Sequence, residues 1–116
     1  MKMTLDELEN ICKNCQKCPL AQSRTNLVFG EGKKDARIML IGEGPGENED
    51  LQGRPFVGRS GQLLDKFLAA VDLSREKNVY IANMVKCRPP KNRDPKPEEQ
   101  DTCIEWLREQ FKICLL

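Results

Sequence analysis

The sequence predicts an α/β fold built on a parallel sheet, from three observations. Two short apolar runs separated by a helical pattern and followed by another give the order strand, helix, strand, helix. The first run stops abruptly at a glycine-rich segment, Gly42-Glu43-Gly44-Pro45-Gly46. The second passes into a stretch of prolines and cations. Both special segments therefore leave the carboxyl ends of strands, where open parallel sheets bind ligands.

Taken in order, Thr4 with Glu7 three residues later reads as a capping box, and Leu5, Leu8, Ile11 and Cys12 share one stripe, so a first helix is expected from about Thr4 to Asn14. Its end delivers Cys15 and Cys18. Ala36 to Ile41 is a continuous apolar run, expected as a strand buried on both faces. A loop is expected from Gly42 to Ser60. Leu63, Leu64, Phe67, Leu68 and Val71 fall at helical spacing, so a helix starts near Ser60 and returns across the sheet. Asn78 to Val85 reads as the second strand. Lys86 to Lys96 is too rich in proline and charge to be regular, and Pro97 followed by Glu98 and Glu99 opens a last helix. Ile104, Leu107, Phe111 and Cys114 are its expected apolar face.

At 116 residues the chain is at most one domain, and its net charge of +1 announces no nucleic-acid partner, so any basic surface must be local. No apolar targeting segment follows Met1-Lys2-Met3, and no run is long enough to span a membrane. A cytoplasmic setting is expected, in which six cysteines serve as metal ligands or buried apolar residues before disulfides. Histidine is absent, which removes the commonest general base and the commonest zinc ligand. From spacing alone, Cys15, Cys18, Cys87 and Cys103 suit an iron-sulfur cluster, a zinc ion or structural burial, and the choice stays open.

The two strand-end segments suit one pocket. Gly44 and Gly46 let backbone amides approach a planar ligand or a phosphate. Phe56, in Gly53-Arg54-Pro55-Phe56-Val57-Gly58, is placed where a base could stack, and the Asn83 amide has the donors and acceptor to read a base edge. Glu43, Glu47 and Glu49 are candidate bases or charge stabilisers. Each has a plainer reading: a tight turn, a core aromatic, a strand-end cap, a solvated acidic turn. Arg88, Lys91 and Arg93 could meet DNA phosphates or simply be solvated.

Cys15-x-x-Cys18-Pro19-Leu20, Gly42-Glu43-Gly44-Pro45-Gly46, Gly53-Arg54-Pro55-Phe56-Val57-Gly58 with Gly61, Asn83-x-x-Lys86-Cys87-Arg88-Pro89-Pro90, and Pro97-x-Glu99-x-x-x-Cys103 together resemble the family 4 uracil-DNA glycosylases. The resemblance runs from about Asn14 to Cys103. It implies a three-layer αβα fold with a parallel sheet, here cut off after the second βα unit, so that residues 1–116 form one incomplete domain. It implies a four-iron four-sulfur cluster on Cys15, Cys18, Cys87 and Cys103, and excision of uracil from DNA in base-excision repair by a protein that is monomeric when intact. By the same likeness Phe56 stacks on uracil, Asn83 bonds its edge, Gly44 adds a backbone contact, and Glu43 and Glu49 are the catalytic acidic residues. The family's later His-Pro-Ser motif has no counterpart in this sequence, so the chain is expected to be the N-terminal part of the enzyme. Two rival expectations are a non-catalytic iron-sulfur module that binds DNA and a small zinc-stabilised interaction domain. Cys12 and Cys114 match no motif and are expected in the core.

Overall fold

A computed structural model describes residues 3–115, with the side chain of Leu115 left aside. The start at Met1-Lys2 and the final Leu116 lie outside the described residues. The elements run α1 (Leu5–Cys12), α2 (Leu20–Ser23), β1 (Glu31–Gly32), β2 (Ile38–Gly42), α3 (Glu47–Gln52), α4 (Arg59–Ala70), β3 (Val79–Asn83), a 3₁₀ turn (Pro90–Asn92) and α5 (Pro97–Leu115). No helix among the described residues is long and apolar enough to cross a membrane.

The expected capping box starts α1. The Glu7 amide donates to Thr4 Oγ1 (3.2 Å) and the Thr4 amide returns to Glu7 Oε1 (3.3 Å), while Leu5, Leu8 and Cys12 turn inward. α1 packs against α5. One core cluster joins Leu5, Leu8 and Cys12 to Phe29, Tyr80, Ala82, Leu107 and Cys114, so both unmatched cysteines are core residues as expected.

The sheet is mixed rather than purely parallel, with strand order β1-β3-β2. β2 and β3 run parallel, joined by a connection that contains α4, and β1 adds an antiparallel edge. At two residues β1 is too short to carry a period, so pattern could not announce it. The order also corrects the expected burial. β3 is central and all five of its residues are buried, whereas β2 pairs only with β3 among the described residues and leaves Ile38 and Ile41 exposed. The β2–β3 register sets Gly42 beside Asn83, so both strands end at one level. That alignment builds the site.

Two helices use less of their apolar pattern than expected. α4 buries Leu68 against Val79 and Ile81 and Gly61 against the Phe56 main chain, but Leu63, Phe67 and Val71 face outward with 52, 63 and 63 % of their surface exposed. α5 turns Cys103, Leu107, Gln110 and Cys114 inward and leaves Phe111 45 % exposed. The glutamine is inside because its amide is satisfied: Nε2 donates to the Phe29 carbonyl (2.8 Å) and Oε1 accepts from Lys86 Nζ (2.6 Å).

The segment expected as loop from Gly42 to Ser60 contains α3. Glu47, Glu49 and Asp50 crowd its first turn, where acidic side chains are stabilised by the helix dipole, and Gly53 in the left-handed region (φ 71°) ends it. Buried Asp50 Oδ1 accepts from the Thr25 and Asn26 amides (2.8 and 3.1 Å), which anchors α3 to the chain before β1.

Candidate functional site

A cavity of about 400 Å³ opens at the carboxyl ends of β2 and β3. Its wall includes Gly44, Gly46, Glu47, Asn48 and Glu49 from the first strand-end segment, Phe56, Gly58, Arg59, Ser60 and Gly61 around the start of α4, and Asn83 and Asn92. Of the residues singled out from sequence, Gly44, Gly46, Glu47, Glu49, Phe56 and Asn83 meet here. Glu43 does not line the cavity. It is exposed, one residue before Gly44, and its carbonyl accepts from the Val85 amide (3.0 Å).

The floor is tight. A Cβ on Gly42 would collide with both Asn83 Oδ1 and the tip of the Phe56 ring, so only glycine lets the ring and the amide lie together. Asn83 is 2 % exposed and its Oδ1 has no hydrogen-bond partner. An unpaired buried carbonyl costs roughly 1–3 kcal/mol, a cost that a ligand N–H would remove. Its main chain is held from behind, because Lys86 Nζ donates to the Asn83 carbonyl (2.8 Å) as well as to Gln110. Lys86 is fully buried, and that burial draws its ammonium down to about 8. The sequence counted Lys86 among a run of cations; the structure makes it an internal strut.

Glu49 ties the two halves of the wall together. Its Oε1 accepts from the Gly46 amide (3.0 Å) and its Oε2 from the Val57 and Gly58 amides (2.9 and 2.8 Å). Desolvation works to raise its pKa, but the amides of Gly58, Glu49 itself, Val57 and Gly46 outweigh it and hold the carboxylate below its ordinary value. A carboxylate so engaged is a loop fastener and a poor proton acceptor. Glu47, in the same wall, is exposed.

Phe56 adopts φ 52°, a left-handed conformation uncommon for a bulky residue. Sequence reasoning missed what holds it there. Arg75, buried in the turn before β3, donates to the carbonyls of Pro55 and Phe56 (both 2.7 Å). Backbone carbonyls leave no mark in a sequence, so nothing could have flagged Arg75.

The three cations behave differently from one another. Arg93 forms a two-pronged pair with Glu99 (2.9 Å at each oxygen), Arg88 Nε donates to Asn92 Oδ1 (2.7 Å), and Lys91 is exposed. Lys91 and Asn92 both take left-handed conformations (φ 56° and 58°), which turns Asn92 to the cavity.

A second, more enclosed cavity is lined by Cys15, Cys18, Cys87 and Cys103 together, with Leu20, Leu27 and Trp106. Thiols nearly seventy residues apart in the chain thus share one space. Cationic and amide donors point at them: Arg24 Nη1 donates to Cys87 Sγ (3.2 Å) and the Lys86 amide to Cys103 Sγ (3.2 Å). Burial pushes the Cys103 thiol up to about 11 and also raises Cys87, against the pull of these donors. Trp106 Nε1 is buried without a partner beside the same cavity. Sulfur-rich walls with inward donors fit an anionic thiolate-bound group. Among the described residues, no three His, Cys, Asp or Glu side chains form the site of a single metal ion.

The family model for the Uracil DNA glycosylase superfamily matches residues 29–116, the stretch that supplies both strand ends and the wall of the larger cavity. The chain belongs to this superfamily. Within it, the chain is 56 % identical to the "Type-4 uracil-DNA glycosylase" of Thermotoga maritima over 87 % of this chain and 52 % of that protein. It is 48 % identical to the protein of the same description from Archaeoglobus fulgidus, over 94 % of this chain and 54 % of that one. A "Type-5 uracil-DNA glycosylase" of Pyrobaculum aerophilum is 33 % identical over 92 % of this chain and 60 % of its own length. The chain spans about half the length of the type-4 relatives it matches. Membership in the superfamily agrees with the α/β architecture and with the placement of the larger cavity at the ends of parallel strands.

Proposed function

We propose that the intact protein containing this chain is a uracil-DNA glycosylase that extrudes uracil from DNA and hydrolyses its N-glycosidic bond. The observation that carries the reading is Asn83: a buried, unpartnered amide oxygen, in register with Gly42 and beside an aromatic ring, at the end of the central strand. Uracil offers an N3–H donor to such an acceptor, and cytosine offers none at that position.

A base within a duplex is out of reach, so the nucleotide must leave the stack at a cost of a few kcal/mol. Stacking on Phe56 returns roughly 1–3 kcal/mol of this. In bond cleavage the sugar becomes cationic and uracil leaves as an anion. Glu43 is the proposed carboxylate on the water side, its charge favouring the cationic sugar, with Gly44 giving a backbone contact to the base and Glu49 fastening the wall. Exposed Lys91 and half-exposed Arg88 are the proposed phosphate contacts. Arg93 is already paired with Glu99 and fits that role less well. The leaving-group donor that the type-4 likeness assigns to a histidine is not among these 116 residues.

The cysteine cavity supports the further reading that Cys15, Cys18, Cys87 and Cys103 hold a four-iron four-sulfur cluster. When bound, such a cluster supplies a cross-link between the segment after α1, the segment after β3 and α5. The Lys86 amide and Arg24 guanidinium steady the two buried sulfurs, and Lys86 extends that support to Asn83.

The test is Asn83→Asp in the intact protein, with excision from uracil- and cytosine-containing oligonucleotides. The acid keeps an acceptor for N3–H but replaces the amide's NH₂, a donor suited to the uracil O4, by an acceptor suited to the cytosine amino group, so the preference for uracil is expected to fall about 10- to 100-fold, the range for one base-edge contact. Unchanged preference would remove the edge-reading role and the proposal with it.

A further inference from the structure

We propose that Arg75 is a positioning residue for base recognition: through the main chain it holds the Phe56 ring in the stacking orientation. This rests on the glycosylase reading and adds to it a residue outside the cavity wall. The guanidinium is 5 % exposed and grips the peptide units on both sides of the Phe56 Cα, Nη1 on the Pro55 carbonyl and Nη2 on the Phe56 carbonyl (both 2.7 Å). It is itself held by two carboxylates. Nη1 also donates to Glu31 Oε2 (3.0 Å), and Nε to Asp65 Oδ1 (3.1 Å). Glu31 stands in β1 and also accepts from Arg54 at both oxygens (2.6 Å at Oε1 and 2.9 Å at Oε2), so the two-residue strand has a purpose: it brings the counter-charge to the clamp.

The need for a clamp follows from the backbone. A phenylalanine at φ 52° costs roughly 1–3 kcal/mol and persists only where its surroundings impose it. Two contacts do so here. Gly61 lies so close that a Cβ on it would overlap the Phe56 carbonyl, which blocks movement toward α4. Arg75 holds the same carbonyl from its oxygen. Released from Arg75, the residue can relax to negative φ, and its Cα–Cβ vector swings the ring away from Gly42 and the Asn83 amide. Lysine cannot replace this grip, since one ammonium lacks the planar fork that reaches two carbonyls and two carboxylates together.

A double-mutant cycle in the intact protein tests this, using Arg75→Lys, Phe56→Ala and the pair. The readouts are the Kd for a single-stranded oligonucleotide with one uracil, against its thymine counterpart, and the melting temperature. Arg75→Lys is expected to weaken uracil binding about tenfold when Phe56 is present, and less than twofold in the Phe56→Ala background, because its effect on the base passes through the ring. Equal losses in both backgrounds would make Arg75 a stability residue alone and overturn the proposal. If Arg75→Lys does not fold, Glu31→Gln loosens the clamp from its far side. It is expected to give a smaller, about threefold, loss that again requires Phe56; a loss independent of Phe56 overturns the proposal. A wild-type protein that does not distinguish uracil from thymine oligonucleotides refutes the glycosylase reading itself, and the role of Arg75 falls with it.

Discussion

Glu49→Gln separates a fastener from a base. In the native wall one carboxylate oxygen takes the Gly46 amide and the other takes two, from Val57 and Gly58. Glutamine can present one oxygen, so either one or two amides then face an NH₂ group that cannot accept. Hydrogen bonds to charged groups are worth about 1.5–3 kcal/mol each. Solvent at this half-exposed side chain lowers that to about 1 kcal/mol, and the variant should lose about 1–2 kcal/mol. For a protein as long as the type-4 relatives, 1 kcal/mol corresponds to about 2–4 °C, which puts the fall in melting temperature at about 2–8 °C. The assay pairs thermal unfolding by circular dichroism with steady-state excision of uracil. A raised KM alongside the lost stability is expected, since the wall that carries Phe56 and Gly44 loosens. Because the folded carboxylate titrates below its ordinary value near 4.5, its contribution is complete above that pH and is lost as pH falls further, so the two proteins should converge in stability on acidification. A variant with unchanged melting temperature and KM but a thousandfold lower kcat would mean that Glu49 is a chemical base and that its amide bonds matter little.

Three other outcomes are expected. Gly42→Ala should abolish preferential uracil binding with little loss of secondary structure, because the methyl group would occupy the space between the Phe56 ring and Asn83 Oδ1; retained binding would show that the floor yields. Trp106, the one tryptophan among these 116 residues, lines the cysteine cavity, so in the intact protein chelating iron should raise fluorescence by an amount that Trp106→Phe removes, and Cys103→Ser should lose both that rise and the absorption near 400 nm; a Cys103→Ser protein that keeps both would contradict the ligand set. Glu99, drawn down to about 2 chiefly by the Arg93 guanidinium and further by the Lys96 amide, against its own burial, stabilises the loop before α5 above pH 4.5 and loses that contribution between there and pH 2; hydrogen exchange of the Lys96 amide should accelerate across this window relative to Glu99→Gln, and a flat ratio would refute the assignment.

The parts of this protein that were legible in the sequence are those governed by local pattern. The abrupt halt of an apolar run at Gly42 and the exit of another near Asn83 located both strand ends, and parallel pairing then required them to meet. The hidden parts depend on partners distant in the chain. α3 looked like loop because it sits between glycines and prolines, and what holds it is Asp50 reaching back to residues 25 and 26. Lys86 resembled its basic neighbours, although its ammonium finds a carbonyl and a glutamine inside the core. Helical spacing marked Phe67 and Phe111 as inward, yet periodicity says only which residues share a face, not that a neighbour covers it. Glu49 was picked out for its carboxylate, and its three amide donors come from two separate stretches of backbone.

The outer side of β2 governs how these residues behave when handled alone. Its amides and carbonyls have no neighbour beyond β3 among the described residues, and Ile38 and Ile41 flank the open row with 39 and 54 % of their surface bare. Such a border recruits whatever extended peptide is at hand, including another molecule of the same kind. Dilution therefore keeps the isolated stretch dispersed, and a lysine in place of Ile41 would blunt its stickiness.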